Sequence, residues 1–137
     1  MAFDDYNGST HIFQAFHAEE YEVGDNFSAA HEVAGFHRAL VILDAGHVGV
    51  GGTIDTKLQE SDDAGVTDAW ADIPGAVFAQ VDASNEAQAF AGCLNLNKRK
   101  RYLRIVMTLA VRDSDVGVIM VLQPKDSRLS TTMSFSV

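Results

Sequence analysis

From Arg38 onward, apolar residues recur in short runs, and clusters of turn-forming residues separate the runs. In "GGTIDTKLQES", Ile54, Thr56 and Leu58 alternate with Asp55, Lys57 and Gln59. A period of two predicts a strand with one covered and one wet face. "RYLRIVMTLAVR" gives the strongest such signal, with Leu103, Ile105, Met107, Leu109 and Val111 on one side. Tyr102, Arg104, Val106, Thr108 and Ala110 make a second side that is only partly polar. The turn "DSDVG" and the apolar "VIMVLQP" follow, so 101–123 reads as a β-hairpin. "HRALVILDAG" reads as a strand buried on both faces. "AVFAQVDA" at 76–83 and "AFAGCLNLN" at 89–97 read as further short strands, the second weakened by Gly92. Helical periodicity is confined to "NFSAAHEVAGFHRAL", where Gly35 interrupts it. The pattern predicts an all-β chain, an antiparallel β-sandwich or barrel, without internal repeats.

The 137 residues and 47% apolar content suit one domain with its own core and argue against overall disorder. The single cysteine, Cys93, excludes an internal disulfide and fits a reducing compartment. No apolar run approaches the ~20 residues of a membrane helix. The N-terminus has no basic segment leading an apolar one, so neither a membrane partner nor a secretory signal is expected. A net charge of −9 weighs against direct duplex nucleic-acid binding. The charge is unevenly spread. Asp4, Asp5, Glu19, Glu20, Glu22, Asp25 and Glu32 precede the first basic residue, Arg38, whereas "NKRKRYLR" at 97–104 gathers five of the ten basic residues. Lys98, Arg99, Lys100 and Arg101 are therefore candidate protein-contact residues, with Glu19, Glu20, Glu22 and Asp25 as their acidic counterparts. Both groups also fit a solvated surface, and basic residues before an apolar strand discourage stray edge pairing.

Candidate chemistry centres on "KLQESDDAGVTDAWADI", Lys57–Ile73, which carries Glu60, Asp62, Asp63, Asp68, Asp72 and the chain's one tryptophan, Trp70. The spacing fails the EF-hand pattern, since Gly65 sits at the wrong offset and the terminal Glu is missing. A sugar platform needs several exposed aromatics, and a glycosidase needs two carboxylates facing across a cleft. The structural reading is simpler. Ser61–Asp62–Asp63 leaves a strand, Ala64–Gly65 turns, the aspartates cap backbone N–H groups, and Trp70 and Ile73 re-enter to cover the open end of the sandwich. Among the histidines, His11 and His17 share a strand face if the strand is regular, but a pair alone is two ligands short of a zinc site. Gly49, Gly51 and Gly52 match no phosphate loop. No metal, cofactor or catalytic residue is expected, and the chain reads as a non-enzyme.

"TIDTKLQESDDAGVTDAWADI", then "KRKRYLRIVMTLAV", then "VGVIMVLQP" resemble small β-sandwich virion proteins of tailed bacteriophages. The resemblance spans about Phe36 to Pro124, with a longer turn, "AGVTDA", before the tryptophan. It implies a head decoration (cement) protein on the capsid exterior, bound to the major capsid protein and forming a homo-oligomer, a trimer by preference. It also implies an Ig-like or jelly-roll-like sandwich core at 36–124. Residues 1–35 would be an acidic N-terminal arm or extra strands, and 125–137 a C-terminal tail. The rivals are a head–tail connector or tail component, a virion carbohydrate-binding module marked by a coplanar pair of Trp70 with Tyr102 or Phe78, and, more remotely, a metal-dependent hydrolase.

Overall fold

Alternation of covered and wet positions recurs along the strands of the computed structural model, which describes residues 11–124. The strands are β1 (His11–Tyr21), β2 (Gly24–Phe27), β3 (His31–Glu32), β4 (Phe36–Ala45), β5 (Thr53–Ser61), β6 (Ala71–Val77), β7 (Gln88–Asn95), β8 (Tyr102–Ala110) and β9 (Ser114–Pro124). They form two antiparallel sheets, β1-β9-β4-β7 and β2-β8-β5-β6, with β3 also paired to β8. Inward side chains from both sheets make one core. Ala39, Val41 and Leu43 of β4 and Val118, Met120 and Leu122 of β9 meet Ile54 and Leu58 of β5 and Leu103, Ile105, Met107 and Leu109 of β8. The all-β sandwich is therefore the fold. On β5, Ile54, Thr56 and Leu58 are buried, and Asp55 faces solvent.

Three expectations need correction. Residues 101–123 are not a hairpin, because β8 and β9 lie in different sheets. Their matching apolar character reflects burial against each other across the core, a relation that periodicity cannot tell from side-by-side pairing. The chain crosses between sheets at Val111, held at φ 70° by an Arg112 N–H to Ala110 carbonyl bond of 2.8 Å. That is a strained γ-turn for a β-branched residue. Second, β4 is buried on one face only. Its outward Leu40 and Ile42 are only half-buried. Third, the strand expected at 76–83 begins at Ala71, with a register irregularity over Pro74–Gly75, where Gly75 takes φ 81°. Of the later residues, Phe78 donates its N–H to the Thr56 carbonyl at 2.9 Å, and Val81 forms an isolated bridge to Ile54.

Of the two alternatives for the N-terminal segment, an arm or extra strands, residues 11–35 take the second and are built into the sandwich. β1 pairs with β9, and β2 and β3 pair with β8. Residues 1–10 and the 125–137 tail lie outside the described residues. The helical pattern in Asn26–Leu40 is overridden because Ser28 is tied to β8 in both directions. Its N–H donates to the Ile105 carbonyl, and its hydroxyl accepts the Ile105 N–H, each at 2.9 Å.

Candidate interaction surface

The acidic loop between β5 and β6 is closed by its own side chains. Ser61, fully buried, donates its hydroxyl to the Asp68 carbonyl at 2.6 Å and accepts the Gly65 N–H at 2.8 Å. The Asp63 carboxylate accepts the Thr67 N–H at 2.8 Å, the Asp68 N–H at 3.0 Å and the Thr67 hydroxyl. Asp68 accepts the Asp62 N–H at 2.8 Å and the Lys100 ammonium at 2.9 Å. Short polar side chains thus satisfy backbone donors that the turn leaves unpaired. Gly65 is required twice over. Its φ is 83°, and a Cβ there would lie 2.6 Å from Trp70 Nε1. The aspartates therefore cap the turn, and among the described residues no three metal-ligating side chains converge. Ile73 is buried in the core as expected. Trp70 is not at the open end of the sandwich. It lies over Arg104 on the outer face of the second sheet, because Gly65 leaves room for the indole there.

Hydrogen bonds from the Thr67 hydroxyl, then from the Asp68 N–H, hold Asp63 at a pKa of about 2, below its ordinary 3.8. A carboxyl that titrates lower when folded stabilises the fold above its unfolded pKa and loses that effect as pH falls through its folded one. The window here runs from about 3.8 down to about 2. Acidification followed by Trp70 fluorescence should leave the loop signal unchanged at pH 4 and alter it only near pH 2. Asp63→Asn should abolish that step, and a loop transition centred at pH 4 would contradict the capping scheme.

The basic run is largely spent within the chain. Lys100 donates its N–H to Glu60 at 3.0 Å and its ammonium to Asp68, locking β8's leading end to the loop. Arg99 lies 3.6 Å from Glu60, and Arg101 pairs with Glu32 and stacks on Tyr102. Lys98, exposed and at φ 66°, has no ion pair among the described residues. Glu19, Glu20, Glu22 and Asp25 are all exposed around the β1–β2 turn, and Asp25 accepts the Thr108 hydroxyl at 2.7 Å. The structure does not bring the basic and acidic candidates together. A register shift in β1 between Gln14 and Phe16 separates His11 from His17, so equal parity does not put them on one face.

The outer face of the β2-β8-β5-β6 sheet carries a cluster that sequence reading did not assemble. Phe27 of β2, Arg104 of β8 and Trp70 stack in series, with the Arg104 Cζ 4.5 Å from the Phe27 ring centre and 4.7 Å from the indole. Arg104 donates to Gln59 Oε1 at 2.8 Å, Gln59 donates to Asp72 at 2.8 Å, and Lys57 donates to the same carboxylate at 3.0 Å. The guanidinium thus lies over both rings at cation–π distance, with its Nε fixed by a polar relay. Burial pulls its pKa down, an effect that leaves so strong a base charged. Phe27 remains 52% exposed, so this anchor faces solvent. The signal that could have found it is cross-strand: Phe27 pairs with Val106, two positions from Arg104, a relation invisible before β2 is placed beside β8.

No protein-family model and no curated protein matches the chain. Among solved structures, it is similar to the SPBc2 prophage-derived protein YomS, with a TM-score of 0.51 and 11% identity over 82% of this chain and 91% of that one. PirA is a more distant likeness, with a TM-score of 0.39 and 14% identity over 84% and 93% of the two chains. At these identities the likeness to YomS is one of fold.

Proposed function

We propose that this chain is a virion structural protein of a tailed bacteriophage, of the head decoration type. In this reading it binds the assembled shell of major capsid protein through the outer face of the β2-β8-β5-β6 sheet. The observation that carries the reading is the exposed Phe27–Arg104–Trp70 stack. Arginine and large aromatics dominate the energetic centres of protein interfaces, and here their conformations are fixed before any partner arrives. The sequence resemblance to phage virion proteins and the fold shared with a prophage-derived protein both point the same way. Asp25 of β2 lies on this face, where it accepts the Thr108 hydroxyl, and Lys98 is the member of the basic run left for an outside contact. Many symmetry-related copies then make a modest interface additive over the shell.

The sugar-binding rival has less support. Trp70 stacks with a guanidinium, and Phe78 packs against Gly92, so neither joins the expected coplanar pair with a free platform. The test is cosedimentation of the purified chain with decoration-free phage heads. Saturable binding with a fixed ratio to capsid subunits is expected. Failure to bind mature heads, with binding instead to isolated neck or tail assemblies, would overturn the decoration reading.

A further inference from the structure

The outer face of the other sheet, β1-β9-β4-β7, departs from the alternation expected of an antiparallel sheet with a wet side. Leu40 and Ile42 of β4, Ile119 and Val121 of β9, Ile12 of β1 and Cys93 of β7 point outward as one patch. Register places Cys93, Leu40, Val121 and Ile12 in one row across the four strands, with Ile42 and Ile119 in the next. Five of the six are half-buried, and Ile119 is 37% exposed. Contiguous apolar surface of this kind marks a contact site.

Its charges say what fits there. Along β4 the outward residues run Arg38, Leu40, Ile42, Asp44, so the face is basic at one end and acidic at the other. Asp115 of β9 reinforces the acidic end, next to Asp44's partner Gly117. Neither Arg38 nor Asp44 has an opposite charge paired to it among the described residues. Both lie three positions, about 10 Å, from Val41.

The geometry points to a second copy of this chain as the occupant. The two faces stack about a twofold axis perpendicular to β4, which brings Arg38 of each copy against Asp44 of the other. A twofold along the strands would instead oppose Arg38 to Arg38 and Asp44 to Asp44. Four strands at ~4.8 Å and eight paired β4 positions at ~3.4 Å give a footprint of about 500 Å² per copy. Two such faces together reach about 1,000 Å², where specific interfaces begin. An isologous contact of this kind closes at two copies, rather than the three that the resemblance implies. It involves the sheet face opposite the Phe27–Arg104–Trp70 stack and is measured without any shell, so it stands or falls separately from the decoration reading.

The test is sedimentation of the full chain and of two charge-reversed variants, Arg38→Asp and Asp44→Arg, with circular dichroism confirming that each is folded. The unaltered chain should sediment as a dimer, twice 14.8 kDa. Each variant alone should dissociate at least tenfold more readily. An equimolar mixture of the two should restore the dimer, since every contact then pairs opposite signs. A monomeric unaltered chain, or single variants that dimerise as before, would overturn the proposal. So would a mixture that stays dissociated. A stable trimer indifferent to both substitutions would place the homotypic contact elsewhere.

Discussion

On the decoration reading, Arg104→Ala should lower affinity for phage heads by about thirty-fold or more, the effect of losing about 2 kcal/mol at an interface centre. The guanidinium is the middle layer of the Phe27–Arg104–Trp70 stack, so its loss leaves two aromatic rings without the plate that orients them. Gln59 also loses the donor that fixes its amide. Thermal stability should change far less, because Arg104 sits on an outer face. Stacking of this kind contributes about 0.5–1 kcal/mol at exposed sites. Arg104→Lys separates charge from shape. Lysine keeps the charge but cannot stack as a plane or hold the fork geometry, so most of the loss should remain. Binding unchanged by either substitution would move the contact away from this face.

Leu43→Ala should destabilise the fold by about 2–5 kcal/mol, the range for emptying a buried leucine site. Leu43 is fully buried near the C-terminal end of β4, flanked by Phe90 of β7 and Val118 of β9 in register. Close packing from two neighbouring strands and the opposing sheet leaves little room for collapse into the cavity. Stability of a chain this size is about 7–20 kcal/mol, so the change is a large fraction of the total. The melting midpoint should fall by on the order of 10 °C. Ile119→Ala, on the outer face of the same sheet, is the control when both substitutions are made in the Asp44→Arg background, which removes the proposed dimer contact, and it should cost well under half as much. Equal losses at the two positions would contradict the inward and outward assignment.

Local patterning made the strand content legible, and most of what was missed lies in the relations between strands. β5 could be read residue by residue because Ile54, Thr56 and Leu58 meet the core while Asp55 meets water. The self-capping of the acidic loop was also legible, since Ser and Asp at a turn have few better partners than the backbone. The pairing of β8 was not, because two apolar strands in succession look the same whether they lie side by side or face each other across a core. The N-terminal strands were obscured by composition. Acidic residues such as Glu19 and Glu20 left an arm and extra strands both open, whereas β1 runs along the edge of its sheet, where outward carboxylates are tolerated and discourage further pairing. The basic run was visible in the sequence as charge. That Lys100, Arg99 and Arg101 are used to fasten the loop and β3 depends on contacts 32 to 69 residues away along the chain for Lys100 with Asp68 and Arg101 with Glu32.

The decoration reading is tested most directly by counting copies of this chain in purified virions against the major capsid protein, by quantitative mass spectrometry. Symmetric coverage of a shell predicts a number on the order of hundreds per particle. About six to twelve copies, the number of a closed ring at the neck, would contradict it, as would the chain's absence from the particle.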